Sequence, residues 1–349
     1  MMTGRRLADR CLSPTVIGFV GLFGMFSLPL VANPYLLFVG TQVSIFVILA
    51  VGLNILVGYC GQLAFSHAAL FGIGAYGAGL LKVHLGWSFL VAVPAGAALA
   101  CIIGTTIALP ALRLFGLYLA LATLAFAQFT QWVFLNWEKV TFGAGGFRVP
   151  RPVFGWATSE LGTFYVALCV AAVLVILAGR IIRSRFGRAI IAIRDGEVAA
   201  ESLGINLLRY KALAFGLSAL YAGIAGGLNA MTLSFVAPET YDLFLAVLLK
   251  AMIVLGGLGS IAGSVLGAGI VLMLLEALRA VKSAQEIVFG AVLLACVLFA
   301  PTGLAGFLSG VLGSWRERYV GDHGATSHDV PPGPTIAATS AEPTSEKVP

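Results

Sequence analysis

Ten apolar runs, spread along most of the chain, constrain its fold before any motif is considered. They are 15–32, 35–58, 63–81, 87–109, 114–135, 163–179, 212–231, 243–258, 260–277 and 286–307. Each is close to the ~20 residues that a helix needs to cross a hydrocarbon core. In lipid, a bare strand or loop cannot satisfy its backbone polar groups, so each run predicts a helix. The expected fold is all-α: a polytopic integral membrane helix bundle of about ten transmembrane helices. Composition agrees, with 59% of the 349 residues apolar and 10% charged. A soluble domain carries about 25% charged residues. An ordinary cytosolic enzyme, a disordered protein and a disulfide scaffold are thereby excluded. Cys11, Cys60, Cys101, Cys169 and Cys296 form no CxxC pair and read as small buried hydrophobes.

Basic residues set the expected orientation, because short cytoplasmic loops are enriched in Lys and Arg. With the amino end inside, fourteen fall in inner segments: Arg5, Arg6, Arg10, Arg113, seven in 180–211, Arg316, Arg318 and Lys347. Six fall outside: Lys82, Lys139, Arg148, Arg151, Arg279 and Lys282. Both termini are therefore expected in the cytoplasm, and the net charge of +6 is a topology signal rather than a nucleic-acid footprint. Residues 1–14 form a cytoplasmic amino end and 15–310 the transmembrane domain. Residues 15–32 read as a retained first span, since no small-residue cleavage site separates them from the second run. Residues 311–349 are expected to be a cytoplasmic, mostly disordered tail; the stretch 321–349 holds five of the fourteen prolines.

Two long loops stand out. The outer one, 136–162, carries Trp137 and Trp156 at the expected interface and is either a connector or a contact surface over the path. The inner one, 180–211, reads RIIRSRFGRAIIAIRDGEVAAESLGINLLRYK and holds seven of the 21 basic residues. From Gly187 to Leu203, Ile190, Ile193, Val198, Ala199 and Leu203 have amphipathic helical spacing, with an interruption at Gly196 and a stop at Gly204. This segment is either a basic connector touching anionic lipid or a docking helix for a cytoplasmic subunit, with Ala199, Ala200 and Gly204 as a small-residue contact face.

Several chemistries are missing from the sequence. No Gly-Lys pair occurs, so a phosphate-binding P-loop of the usual form is ruled out. No HExxH, Cys/His cluster or GxSxG is present, and no metal site or cofactor is expected. No acidic pair sits inside a run, which weakens a proton-coupled carrier. What the runs do contain is polar residues and glycine. Asn54, Gln62, Ser66 and His67 lie in GLNILVGYCGQLAFSHAALFGIGAYG at 52–77. They either bond helices together or line a substrate path at a helix break near Gly58 and Gly61. Lys250, centred in an apolar run, either snorkels along its stem or faces a hydrated path. Gly256, Gly257, Gly259, Gly263 and Gly267 mark helix packing, the last three stacking on one helix face. GYCGQLA at 58–64 and GGLGSIA at 256–262 are faintly alike and raise a weak internal repeat.

Four stretches resemble one family across roughly 35–310. They are GLNILVGYCGQLAFSHAALFGIGAY at 52–76, RLFGLYLALATLAFAQ at 113–128, SRFGRAIIAIRDGEVAAESLGINLLRYKALAF at 184–215 and VLGGLGSIAGSVLGA at 254–268. They are similar to the membrane-spanning permeases of branched-chain amino-acid ATP-binding-cassette (ABC) importers, the LivM type. Val198-Ala199-Ala200 followed by Gly204 resembles the EAA-x3-G docking loop of ABC importers, with Val198 where Glu is usual. Cys60, Ala64, Phe65, Ser66 and Lys250 depart from the family pattern. The resemblance implies a non-catalytic permease of the bacterial inner membrane, moving branched-chain or related hydrophobic amino acids; relatives carry urea, short amides or aromatic acids. It implies partners: ATP-binding cassette ATPase subunits, a homologous second permease of LivH type and a periplasmic substrate-binding protein. It also implies an ATPase-docking loop made of Gly187, Arg188, Arg194, Glu197, Ala199, Ala200, Glu201 and Gly204. A stand-alone secondary carrier is the competing reading of the same spans.

Overall fold

A computed structural model describes residues 33–111, 114, 116–152, 159–279 and 290. The runs 15–32 and 286–307, the amino end and the tail after 310 lie outside the described residues. Within these, seven helices are long and apolar enough to cross a membrane, and one apolar helix is shorter. We label them in chain order: α1 (Pro34–Asn54), α2 (His67–Leu85), α3 (Phe89–Ala111), α4 (Leu117–Asn136), the single turn α5 (Glu138–Thr141), α6 (Ser159–Arg183), α7 (Arg185–Asp195), α8 (Glu197–Ser202), α9 (Leu207–Leu233), α10 (Leu243–Gly256) and α11 (Ile261–Leu278). The short apolar helix is α10. Its 14 residues rise only about 21 Å, against about 30 Å of hydrocarbon.

Helix starts inside an apolar medium need their own bonds, and several are capped by side chains. Asn206 accepts from the Arg209 N–H at 3.1 Å, Asp242 from Leu245 at 2.9 Å and Ser260 from Gly263 at 3.1 Å. The third apolar run differs from its expected start: the helix begins at His67, not 63. Before it, α1 runs on into a five-residue π turn, Ile55–Tyr59, and residues 60–66 form an irregular segment. Glycine supplies the close approaches at the centre. Gly74 of α2 faces Gly223 of α9 so tightly that a Cβ there would lie 2.4 Å from the Gly223 backbone. Helices α1, α2, α3 and α9 thus form a core with little side-chain volume between backbones.

The outer loop folds against a second loop. Strand β1 (Phe147–Arg148) pairs antiparallel with β2 (Phe235–Val236), Phe147 opposite Val236. The Phe147 ring covers Gly79, and Phe142 stacks on His84 near the end of α2. The helix ends alternate consistently. Segments 60–66, 184–206 and 257–260 meet at one face; 137–152 and 234–242 meet at the other.

Candidate functional site

At the first of these faces, the two glycine segments singled out in the sequence touch each other. Asn54 is the bolt between them. Its side-chain amide donates to the Ser260 carbonyl at 2.9 Å and to Ser264 Oγ at 2.6 Å, and its Oδ1 accepts from the Gly259 N–H at 3.0 Å. A Cβ on Gly58 would meet Asn54 Oδ1 at 1.7 Å and the Gly259 nitrogen at 2.6 Å. Only glycine fits there. Arg194, reaching up from α7, donates through its guanidinium to the Gly58 carbonyl. Its stem packs 3.1 Å from where a Gly61 Cβ would sit, and its Nη1 lies 2.8 Å from a Gly259 Cβ position. One side chain therefore ties the α7–α8 segment to both helix breaks.

The inner loop is two helices, α7 and α8, with the break at Gly196 and the stop at Gly204 where the sequence put them. Gly196 breaks it with extended backbone, and Gly204 ends it at φ +80°. The kink changes which residues share a face. Ile190 and Ile193 are buried under α7, whereas Val198 and Leu203 point outward, 84% and 79% exposed. Ala200 is buried, so the expected contact face of Ala199, Ala200 and Gly204 is corrected: the outward face carries Val198, Ala199, Glu201, Leu203 and Gly204. Gly187 is buried against the Ile182 carbonyl and Arg188 is exposed. Glu197 pairs with the buried Lys211 at 2.7 Å, fastening α8 to the start of α9.

The five candidate path residues fall into two groups. Asn54 and His67 are spent on structure. His67 Nε2 lies 3.1 Å from the Leu49 carbonyl, and its Nδ1 3.2 Å from Ser218 Oγ. Ser66 and Lys250 are buried at their polar atoms and have no hydrogen-bond partner, and Gln62 is buried beside the Cys60 thiol. Lys250 of α10 holds its ammonium over the Phe65 ring. The Phe65 N–H donates to Thr123 Oγ1 of α4 at 3.0 Å.

The glycines of 256–267 also separate. Gly256 ends α10 and faces Gly263 and Gly267 of α11; a Cβ on Gly256 would meet the Gly263 carbonyl at 2.0 Å. Gly257 and Gly259 sit in the turn at φ +116° and +75°. Gly259 therefore precedes α11 and does not share its face with Gly263 and Gly267, contrary to the four-residue spacing.

Sequence reasoning missed an aromatic cluster toward the opposite face. Tyr76 of α2 stacks on Phe134 of α4 at 4.2 Å, with Tyr241 at 6.2 Å and Phe147 at 5.6 Å from the Tyr76 ring. Tyr76 follows Ser66 by ten residues, so the cluster stands about 15 Å further along α2. The only signal was a tyrosine inside a glycine-rich run. Among the described residues no group of acidic, His and Cys side chains could hold a metal.

Residues 35–300 match the family described as "Branched-chain amino acid transport system / permease component". The chain is 30% identical over 292 residues to the high-affinity branched-chain amino acid transport system permease protein LivM of Escherichia coli (strain K12), covering 76% of this chain and 69% of that one. It is 30% identical to the corresponding LivH of the same organism, covering 75% and 92%. The ribose import permease protein RbsC of that organism is 28% identical over 65% of this chain and 72% of its own length. No solved structure matches.

Proposed function

The chain belongs to the family of branched-chain amino acid transport permeases, and from that premise we propose that its cargo is a branched-chain or related hydrophobic amino acid. It is a multi-pass protein of the inner membrane and a permease subunit of an ABC importer. ATP hydrolysis takes place on separate cassette subunits that dock on the outward face of α7–α8. A homologous permease completes the path, a periplasmic binding protein delivers the substrate, and both chain ends are cytoplasmic.

The observation that carries this reading is the reach of Arg194. It joins the kinked surface pair α7–α8 to the two glycine breaks in the bundle. A force on α8 is transmitted through Glu197–Lys211 to α9 and through Arg194 to the breaks after α1 and α10. Small rigid-body shifts at such joints move packed helices between two arrangements. Gln62, Ser66 and Lys250 line the path on the docking side, and the Tyr76 aromatic cluster closes it on the other.

Affinity purification of the tagged chain in mild detergent, with Leu203→Asp in parallel, tests the docking. The parent is expected to bring down an ATPase and a second permease, and the variant only the permease. A parent chain that purifies alone and carries leucine into liposomes without ATP sinks the reading.

A further inference from the structure

We propose that Lys250 and Ser66 form a carboxylate subsite in the translocation path, receiving the carboxylate of the transported amino acid at the uncapped start of α2. The proposal rests on the importer reading above and adds which end of the substrate is held, and where.

Three observations meet at this point. First, Lys250 is the one Lys or Arg placed within an apolar run, and its Nζ is buried with no hydrogen-bond partner. An ammonium without an anion in a water-poor bundle is costly, and a carboxylate is the group that offsets that cost. The Phe65 ring beneath it supplies only the weaker attraction of a π face. Second, Ser66 sits next to Phe65 at the start of α2. Its carbonyl accepts the Leu70 N–H at 2.9 Å, but its hydroxyl makes no cap bond and no other. The helices α7, α9, α10 and α11 use their capping side chains in the ordinary way. At α2 the first-turn N–H groups, the hydroxyl and the positive end of the helix dipole are left for an anion. Broken helices in transporters present such ends to substrate carboxylates. Third, the Gln62 side chain, only 4% exposed, lies on the same irregular segment with the Cys60 thiol as its polar neighbour. The two other polar side chains nearby, Asn54 and His67, are fully engaged elsewhere.

Further along α2 from Ser66 stand Phe71 and the Tyr76 cluster, which are apolar and aromatic. A free amino acid with a branched aliphatic side chain matches that polarity, whereas a neutral amide of the same shape leaves Lys250 unpaired.

The test is equilibrium binding of radiolabelled L-leucine to the purified complex without binding protein, with unlabelled competitors. Leucine and isovalerate, which share the carboxylate, are expected to compete. Leucinamide is expected to compete about tenfold or more weakly. Lys250→Gln should weaken leucine binding by a similar factor, Lys250→Arg should retain most of it, and Ser66→Ala should fall between. The melting temperature and the co-purifying subunits should be those of the parent. Equal competition by leucinamide, binding unchanged in Lys250→Gln, or no binding by the parent at millimolar leucine each overturns the subsite. Loss of the second permease from Lys250→Gln also overturns it, by assigning the lysine to an acidic partner across a subunit interface. ATP-driven uptake by the reconstituted parent reads the importer function separately, so the two can fail independently.

Discussion

Asn54 and Arg194 do opposite jobs at one joint. Asn54 makes three hydrogen bonds across it and is buried. Replacing it by Leu strands the Gly259 N–H, while the Ser264 hydroxyl keeps its bond to the Ser260 carbonyl; leaving such a group unpaired costs about 1–3 kcal/mol. A drop in the detergent melting temperature of Asn54→Leu, with Asn54→Asp intermediate, is the expected outcome of a differential scanning fluorescence measurement. Arg194 is exposed and contributes one backbone hydrogen bond plus packing of its stem and guanidinium against Gly61 and Gly259. Arg194→Gln is expected to leave the melting temperature nearly unchanged, while ATPase activity continues and substrate uptake falls severalfold. Uptake and ATPase falling together would place Arg194 in docking instead. Neither role could be read from the sequence. The polar types and the glycines were visible, but Arg194 and Gly58 stand 136 positions apart, and no periodicity connects them. The same limit explains why Asn54 and His67 looked equivalent to Gln62 and Ser66: which of four polar groups has a partner is decided by α9 and α11, which fold against them from elsewhere in the chain.

At the scale of elements, the spans were legible because hydrocarbon imposes one rule on every segment that crosses it. Their boundaries were less so. The cap at Asn206 starts α9 at Leu207, ahead of its apolar run at 212, and the break at 60–66 shifts the start of α2. The inner loop was recognised by charge, spacing and its interruption at Gly196, where the backbone is extended, but Ala200 was placed on the contact face and is buried. That error has a consequence for mutagenesis. Ala200 is 2% exposed, so Ala200→Arg forces a cation into packed surroundings and is expected to lower expression and stability, not merely to block docking. Ala199→Arg and Leu203→Asp lie on the outward face, and the expected result is a folded chain with normal melting that no longer retains the ATPase. Size-exclusion profiles of the three variants in detergent separate the cases. The α10–α11 hairpin is similarly demanding: Gly263→Val places side-chain atoms where the Gly256 carbonyl lies 2.4 Å from a bare Cβ, and misfolding is expected.

For the whole molecule, what matters is the distance between the two ends of the path. At the α7–α8 face stand unpartnered polar groups and close-packed glycine joints; about 15 Å along α2 stands an aromatic wall made by residues from α2, α4, the β1 loop and the turn before α10. On the proposed importer reading, this wall is the closed end of an alternating gate while the other end is worked. Tyr76 contributes ring area rather than hydrogen bonding, since its hydroxyl is buried without a partner. Tyr76→Phe is therefore expected to transport as the parent does. Tyr76→Ala removes the ring that stacks on Phe134, and aromatic pairs of this kind contribute about 0.5–1.5 kcal/mol beyond burial, enough to shift a balanced two-state gate several-fold toward open. Proteoliposomes holding the complex and preloaded with labelled leucine should leak faster without ATP in Tyr76→Ala, and Phe134→Ala should behave alike. The double variant should leak no faster than the worse single one, because both remove the same contact. Leak rates equal to the parent in all three would mean that the aromatic cluster supports the fold and that the closure lies elsewhere along the path.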